Sequence, residues 1–435
     1  MGKRDGEDKK KIVFPKRMFK FVQVKIFPMR KFLILIAFVF CSAALYGQVD
    51  TVRLGYSVQG TVVDAVTGRP MESVHVSVPG RHYATVTNAD GDFTIKSDQP
   101  VAEVVFSFLG YRTLRQKPGG GPLNVRLTPE SMPLAESSII TGDPREIIRE
   151  AIYRISDNYS KNPELLECFY RETVRKRNRY IYVSEAVSRL YKTGYDGTVY
   201  RDRAALEKSR VLLSQRRTDT LSVKMQGGPT QAVTFDVVKN PEILFNDEEL
   251  SLYEFEMGMP TYIGDRLQFV IHFHPGSREV EWALYHGTLY IDRELLSFTR
   301  IEMSLDMSDA AKATRMMVVR KPLSLRLSPR ELSIVISYRL KEGRSRLEYF
   351  RSTMRFNCDW KKRLFATSYA VVNELVVTDL REPAIPIPRA EAFRTVDILS
   401  EKAAEFQDPD FWKDYNIIEP TESLEHAIGR LRRGK

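Results

Sequence analysis

The chain has 435 residues, enough for two or three domains with cores of their own. Its formal charge of +10 is concentrated at one end: residues 1–31 hold eleven Lys or Arg against three acids, which leaves the remainder near +2 with both signs interspersed. A nucleic-acid binder keeps its basic excess on the folded part, so that function class falls away.

The leader accounts for the charge. "MRKFLILIAFVFCSAALYGQ", residues 29–48, has a basic start, an apolar run from Phe32 to Leu45 and small residues towards Gly47. That is the layout of a secretory signal, and the run is short for a membrane span. The expectation is a basic leader and signal peptide over 1–47, with Met29 an alternative start, and an exported protein in the periplasm or associated with the outer membrane. An uncleaved N-terminal anchor is the alternative. Cys41 follows Phe40, where lipoprotein processing wants a small side chain. Cys168 and Cys358 remain, and a disulfide between them would close a long loop. Met354, Phe356, Cys358 and Trp360 alternate onto one face, however, as buried free cysteines do.

Residues 54–128 read as short strands separated by turn chemistry. Val58, Gly60 and Val62 alternate with polar neighbours, as do Val74, Val76 and Val78; "NADG" at 88–91 supplies residues that tolerate positive φ. Phe93 and Ile95, then Val104, Phe106 and Phe108, then Val125 and Leu127 complete a small antiparallel β-sandwich. "GTVVDAVTGRPMESVHVSVPG", "TNADGDFTI" and "VVFSFLGYRT" resemble the carboxypeptidase-regulatory-like domain, a transthyretin-type sandwich. The resemblance implies a non-catalytic module common in Gram-negative cell-envelope proteins.

A regulatory name does not bring a peptidase with it, and the sequence holds no H-x-x-E or H-E-x-x-H pair, no G-x-S-x-G elbow and no phosphate-binding loop. The expectation is no enzyme, no cofactor and no metal. The nearest approach to a metal set is "IHFH". If "HPGSRE" is a tight hairpin turn, His286 lies opposite Leu267, about 17 Å along the strand from His272 and beyond one ion's reach. Glu172 and Glu185 sit in apolar-flanked strands, where salt bridges to nearby Arg are expected for both.

Residues 129–143 read as a linker. Asp143-Pro144-Arg145-Glu146 then caps a helix whose stripe is Ile148, Ala151, Ile152, Ile155 and Tyr159. Alternating segments at 167–175, 180–192, 266–274, 280–291, 298–306, 332–340, 346–358 and 364–378 follow. The predicted fold class is therefore mainly β: the sandwich, then a larger α+β domain over 144–380 with a curved antiparallel sheet around one or more helices. "RLQFVIHFHP" and the following hairpin resemble the periplasmic lipoprotein-carrier half-barrel. "REIIREAIYRISDNY", "FYRETV" and "YVSEAVSRLYK" resemble a family of envelope proteins in which such a sandwich precedes this region.

Residues 381–435 form a connector, an aromatic tail and a short helix. In "DPDFWKDYNIIEP", Phe411, Trp412 and Tyr415 read either as anchors for a docking partner or as a cap over the open sheet. The expected function is a non-enzymatic envelope protein whose half-barrel serves as a scaffold or holds an apolar ligand. Its partner would be an envelope protein or that ligand, and membrane association is compatible with the leader. A surface adhesin using Tyr262, Trp282 and Tyr285 as a glycan platform is the second reading, and a hydrolase assembled from distant residues the third.

Overall fold

The computed structural model describes residues 22–26, 55–130, 142–216, 219, 221–360, 365–405 and 412–433. Ahead of the sandwich, within the segment expected to be a leader, β1 (Val22–Ile26) forms a strand. The sandwich comprises β2 (Tyr56–Asp64), β3 (His75–Ser77), β4 (Ala84–Val86), β5 (Asp92–Ser97), β6 (Val104–Ser107), β7 (Leu114–Gln116) and β8 (Leu123–Leu127). Its sheets run β5-β2-β8 and β4-β3-β6-β7. Val58, Val62, Val76, Phe93, Ile95, Phe106 and Val125 fill the space between them, as the alternation predicts. The closing strand departs from the expected antiparallel pattern: β8 runs parallel to β2. The "NADG" turn is an Asx turn, with Asn88 Oδ1 accepting from the Asp90 and Asp92 amides at 2.9 Å each. Gly91 has φ +81°, and a Cβ there would stand 2.4 Å from the Val62 carbonyl oxygen.

The capped helix begins as predicted. Asp143 accepts from the Arg145 amide at 2.9 Å, and Pro144 opens α1 (Pro144–Tyr153), burying Ile148 and Ala151. The predicted stripe is not continuous, because the chain breaks at Arg154 into the separate turn α2 (Ile155–Asn158), which delivers Tyr159 to the core.

The second domain adds β9 (Glu164–Lys176), β10 (Arg179–Lys192), β11 (Arg203–Leu213), β12 (Leu221–Met225), α3 (Thr230–Thr234), α4 (Asp247–Leu250), β13 (Tyr253–Met257), β14 (Thr261–Ile263), β15 (Arg266–Pro275), β16 (Tyr285–Asp292) and β17 (Phe298–Leu305). Then come α5 (Ala310–Met317), β18 (Val318–Arg320), β19 (Leu325–Lys341), β20 (Arg344–Trp360), β21 (Thr367–Arg381), α6 (Leu399–Lys402), β22 (Ala404–Glu405) and α7 (Glu422–Arg432). Twelve strands make one open, curved sheet in the order β13-β15-β16-β17-β19-β20-β21-β9-β10-β11-β22, with β14 also on β15. A smaller sheet, β12-β1-β18, sets β1 antiparallel to β12 and parallel to β18. No helix among the described residues is long and apolar enough to cross a membrane.

Both faces of the sheet's centre are covered. On β9, Leu166, Cys168, Tyr170 and Val174 face the concave core, while Phe169 faces a separate apolar cluster on the convex side. Cys168 and Cys358 are both buried free thiols.

Candidate functional site

The concave face is the first place to look for a ligand, and the chain's own segment fills it. From Met225 to Leu252, passing through α3 and α4, this plug buries Ala232, Val233, Phe235, Val237, Val238, Ile243, Leu244, Phe245 and Leu250 against the sheet. It enters through Gly227 and Gly228, at φ +94° and +42°; a Cβ on Gly228 would stand 2.9 Å from the Phe393 ring.

Charge holds the plug in place. Asp236, fully buried, accepts from Lys192 Nζ at 2.6 Å, from the Tyr195 hydroxyl at 2.9 Å and from the Tyr338 hydroxyl at 2.6 Å. Lys239 reaches Asp202 at 2.7 Å, and Lys192 lies 3.6 Å from the same carboxylate. Two ammonium groups thus face two carboxylates in the interior, the compensation that makes buried charge tolerable. Burial opposes the charge on Lys192, but Asp236 and Asp202 outweigh it and raise its pKa.

A polar row crosses the sheet beneath the plug. Ser352, Asn373, Glu172 and Ser184 are register neighbours on β20, β21, β9 and β10, and all are buried. Asn373 donates to Ser352 Oγ at 2.9 Å and to Gln231 Oε1 of the plug at 3.4 Å. Tyr170 donates to Glu172 Oε2 at 3.2 Å. Burial raises the Glu172 pKa to about 7, against the opposing hydrogen bonds of Tyr182 and Tyr170.

Glu185 follows the salt-bridge expectation and Glu172 does not. Glu185 points to the convex face, where Arg171 and Arg210 approach at 2.6 and 2.7 Å. Burial alone would raise its pKa, but the two guanidinium groups prevail and hold it below the usual carboxylate range. The Trp412 indole N–H also donates to Glu185, at 3.2 Å.

That contact belongs to a seam between the two domains. Trp412 is buried with Val86 of the sandwich and Phe169, Val187, Tyr349 and Val376 of the sheet, together with Ile417 and Ile418. Thr85 donates to the Ile417 carbonyl at 2.8 Å, and Arg171 donates to the Ile418 carbonyl at 2.7 Å. Tyr415 is half-buried, with Lys208 over its ring, and Phe411 lies outside the described residues. Trp412 is therefore an anchor spent within the chain. Beyond it, α7 lays Leu424, Ala427 and Leu431 on Tyr180 and Val183 of β10.

Other sequence candidates resolve differently. β15 and β16 are joined by a long connection, not a tight turn, so Phe273 pairs with Gly287 and His272 with Thr288. The predicted register is corrected accordingly: His286 follows on beside His274 instead of facing Leu267. Even so, no group of His, Cys, Asp or Glu among the described residues is arranged to hold a metal. The glycan platform is also corrected, since Tyr285 is buried in the core against Tyr253 and Trp282 is half-buried. At the seam, a cleft of about 30 Å³ lined by His82, Arg339, Lys341, Arg346 and Asp379 has room for about one water molecule.

Comparison with known proteins agrees with the sandwich. Residues 58–133 match the family model described as CarboxypepD_reg-like domain. No curated protein matches the chain. Among solved structures, a putative outer membrane lipoprotein-sorting protein domain from Vibrio parahaemolyticus is 13% identical, covering 55% of this chain and 92% of its own, with a TM-score of 0.23. A LolA superfamily protein from Nitrosomonas europaea is 11% identical, covering 56% and 96%, with a TM-score of 0.18. A putative membrane-associated protein of unknown function from Bacteroides fragilis is 12% identical, covering 75% and 98%, with a TM-score of 0.14. Scores this low carry no argument. The N-terminal sandwich is a carboxypeptidase-regulatory-like domain.

Proposed function

We propose that this is an exported cell-envelope scaffold without catalytic chemistry of its own, whose sandwich and half-barrel work as one interaction body. The observation that carries the reading is the plugged concave face. An apolar carrier needs an apolar cavity to receive its cargo; here Phe235, Leu244 and Phe245 occupy that space. The seam supports the same reading, because residues 412–420 bond to both domains and fix their relative placement.

Export is supported by the leader and by the regulatory-like sandwich. Removal of residues 1–47 would take β1 with it, leaving β12 and β18 facing across an empty strand position. Native mass spectrometry of protein purified from envelopes tests the scaffold reading. The expected mass is that of the polypeptide alone; a stoichiometric co-purified lipid would replace this reading with that of an apolar-ligand carrier.

A further inference from the structure

Strand registers bring four separate parts of the chain to one end of the half-barrel. Leu325 pairs with Trp360, Cys358 with Thr367, Tyr369 with Lys176, and Tyr182 with Leu213. The Arg177–Asn178 turn, the Ser214–Arg216 stretch, Arg320 at the end of β18 with the Lys321–Ser324 turn, and Phe365 therefore share a rim. That rim projects, because β17 last pairs with β19 at Ser333 and β19 continues eight residues further, about 27 Å.

The rim is basic and carries apolar tips. Arg177, Arg216, Arg320 and Lys321 are all exposed, and among the described residues none has an ion pair; Lys321 donates only to the Leu325 carbonyl, at 2.9 Å. Lys176 and Arg179 share the single carboxylate of Asp219, at 2.9 and 2.6 Å, and Arg326 faces Asp359 in register. Among these cations stand Leu323, 98% exposed, and Phe365, 77% exposed. The sandwich leaves the rim uncovered, since it meets β19 at the other end, where Lys341 donates to the Arg81 carbonyl at 2.6 Å.

We propose that this rim docks on the surface of an anionic phospholipid bilayer, with the cations on lipid phosphates and Leu323 and Phe365 among the headgroups. Unpaired cations around exposed apolar tips fit a charged interface with an apolar interior. A nucleic acid would meet the cations but give the Leu323 side chain nothing to enter. The proposal goes beyond the scaffold reading and is read by a different measurement.

The test uses the full chain, carrying Cys41→Ser and an environment-sensitive dye on Ser324→Cys at the rim or on Lys117→Cys on the sandwich. Vesicles of phosphatidylglycerol with phosphatidylcholine should shift emission to the blue at position 324 and leave position 117 unchanged. Phosphatidylcholine alone or high salt should reduce the shift. Arg320→Gln and Lys321→Gln should each weaken vesicle binding roughly fivefold, at about 1 kcal/mol per basic residue near the surface. Leu323→Ser with Phe365→Ser should abolish the blue shift, and all four positions are exposed enough to leave folding intact. No shift at 324, an equal shift at 117, indifference to lipid charge or preferential binding of duplex DNA would each overturn the proposal.

Discussion

Asn416 clasps both backbone polar groups of Lys96: its Oδ1 accepts from the Lys96 amide at 2.7 Å, and its Nδ2 donates to the Lys96 carbonyl at 3.1 Å. One side chain from the C-terminal segment thereby mimics a paired strand on β5, at the sandwich edge. Asn416→Ala removes both bonds and leaves the Lys96 backbone partly orphaned, at a cost of about 1–3 kcal/mol. The check is chemical denaturation together with proteolysis, which should cut faster within 412–433.

Trp412 is the apolar counterpart of that clasp. It packs edge-on to Phe169, 5.6 Å between centroids, with Arg210 4.8 Å from its ring. Trp412→Ala should cost about 3–5 kcal/mol, whereas Trp412→Phe keeps most of the packing and loses chiefly the bond to Glu185. Equal losses in the two variants, measured by calorimetry, would mean that the hydrogen bond and not the packing holds the seam.

Asp236 secures the plug. Asp236→Ala leaves the Lys192 ammonium buried beside only the more distant Asp202, and should cost about 3–5 kcal/mol. Hydrogen exchange should rise first across residues 226–252, while β19 and β20 stay protected.

Glu172 sets a pH dependence whose sign is fixed by the direction of its shift. Its folded pKa of about 7 lies above the ordinary carboxylate value, so the folded state resists ionisation. Its stabilising share is whole below the unfolded value near 4.5 and is lost as pH rises towards about 7. Glu249, also raised to about 7 by burial and by Glu248, acts in the same direction, so the readout must be a difference. Glu172→Gln keeps an acceptor for Tyr170 and should gain about 2–3 kcal/mol over the parent at pH 8, and little at pH 4.

The buried thiols give a simple chemical check. Burial raises both, Cys358 to about 12 and Cys168 still further. A thiol reagent should leave both unmodified in the native protein and modify both after denaturation without reductant. If neither reacts without reductant, they are bonded to each other.

Much of the architecture was legible because it is local. Period-two alternation marked the sandwich strands and most of the large sheet, and Asp143-Pro144 marked the start of α1. β11 escaped because its burial does not alternate cleanly: Ala204 and Ala205 are both buried, as are Arg210 and Val211. In sequence the connection before β16 looks like a tight turn, but it is a long one, and its length sets the partner of His286.

What lies across a strand, or over its second face, belongs to distant residues. Glu172 and Glu185 look alike in sequence, yet the first faces a closed core and the second two guanidinium groups, because they occupy opposite faces of one ladder. The aromatic tail reads in sequence as a cap over the open sheet before it reads as a docking anchor, and Val86 and Phe169 are what enclose Trp412. The basic rim is the extreme case: its cations are scattered from Arg177 to Lys321, mixed with acids along the chain, and only strand register gathers them. By itself the sequence determined most of the elements, since side-chain period is a property of neighbours. Tertiary structure alone decided the plug, the seam and the rim, since each is made by parts of the chain that meet only after folding.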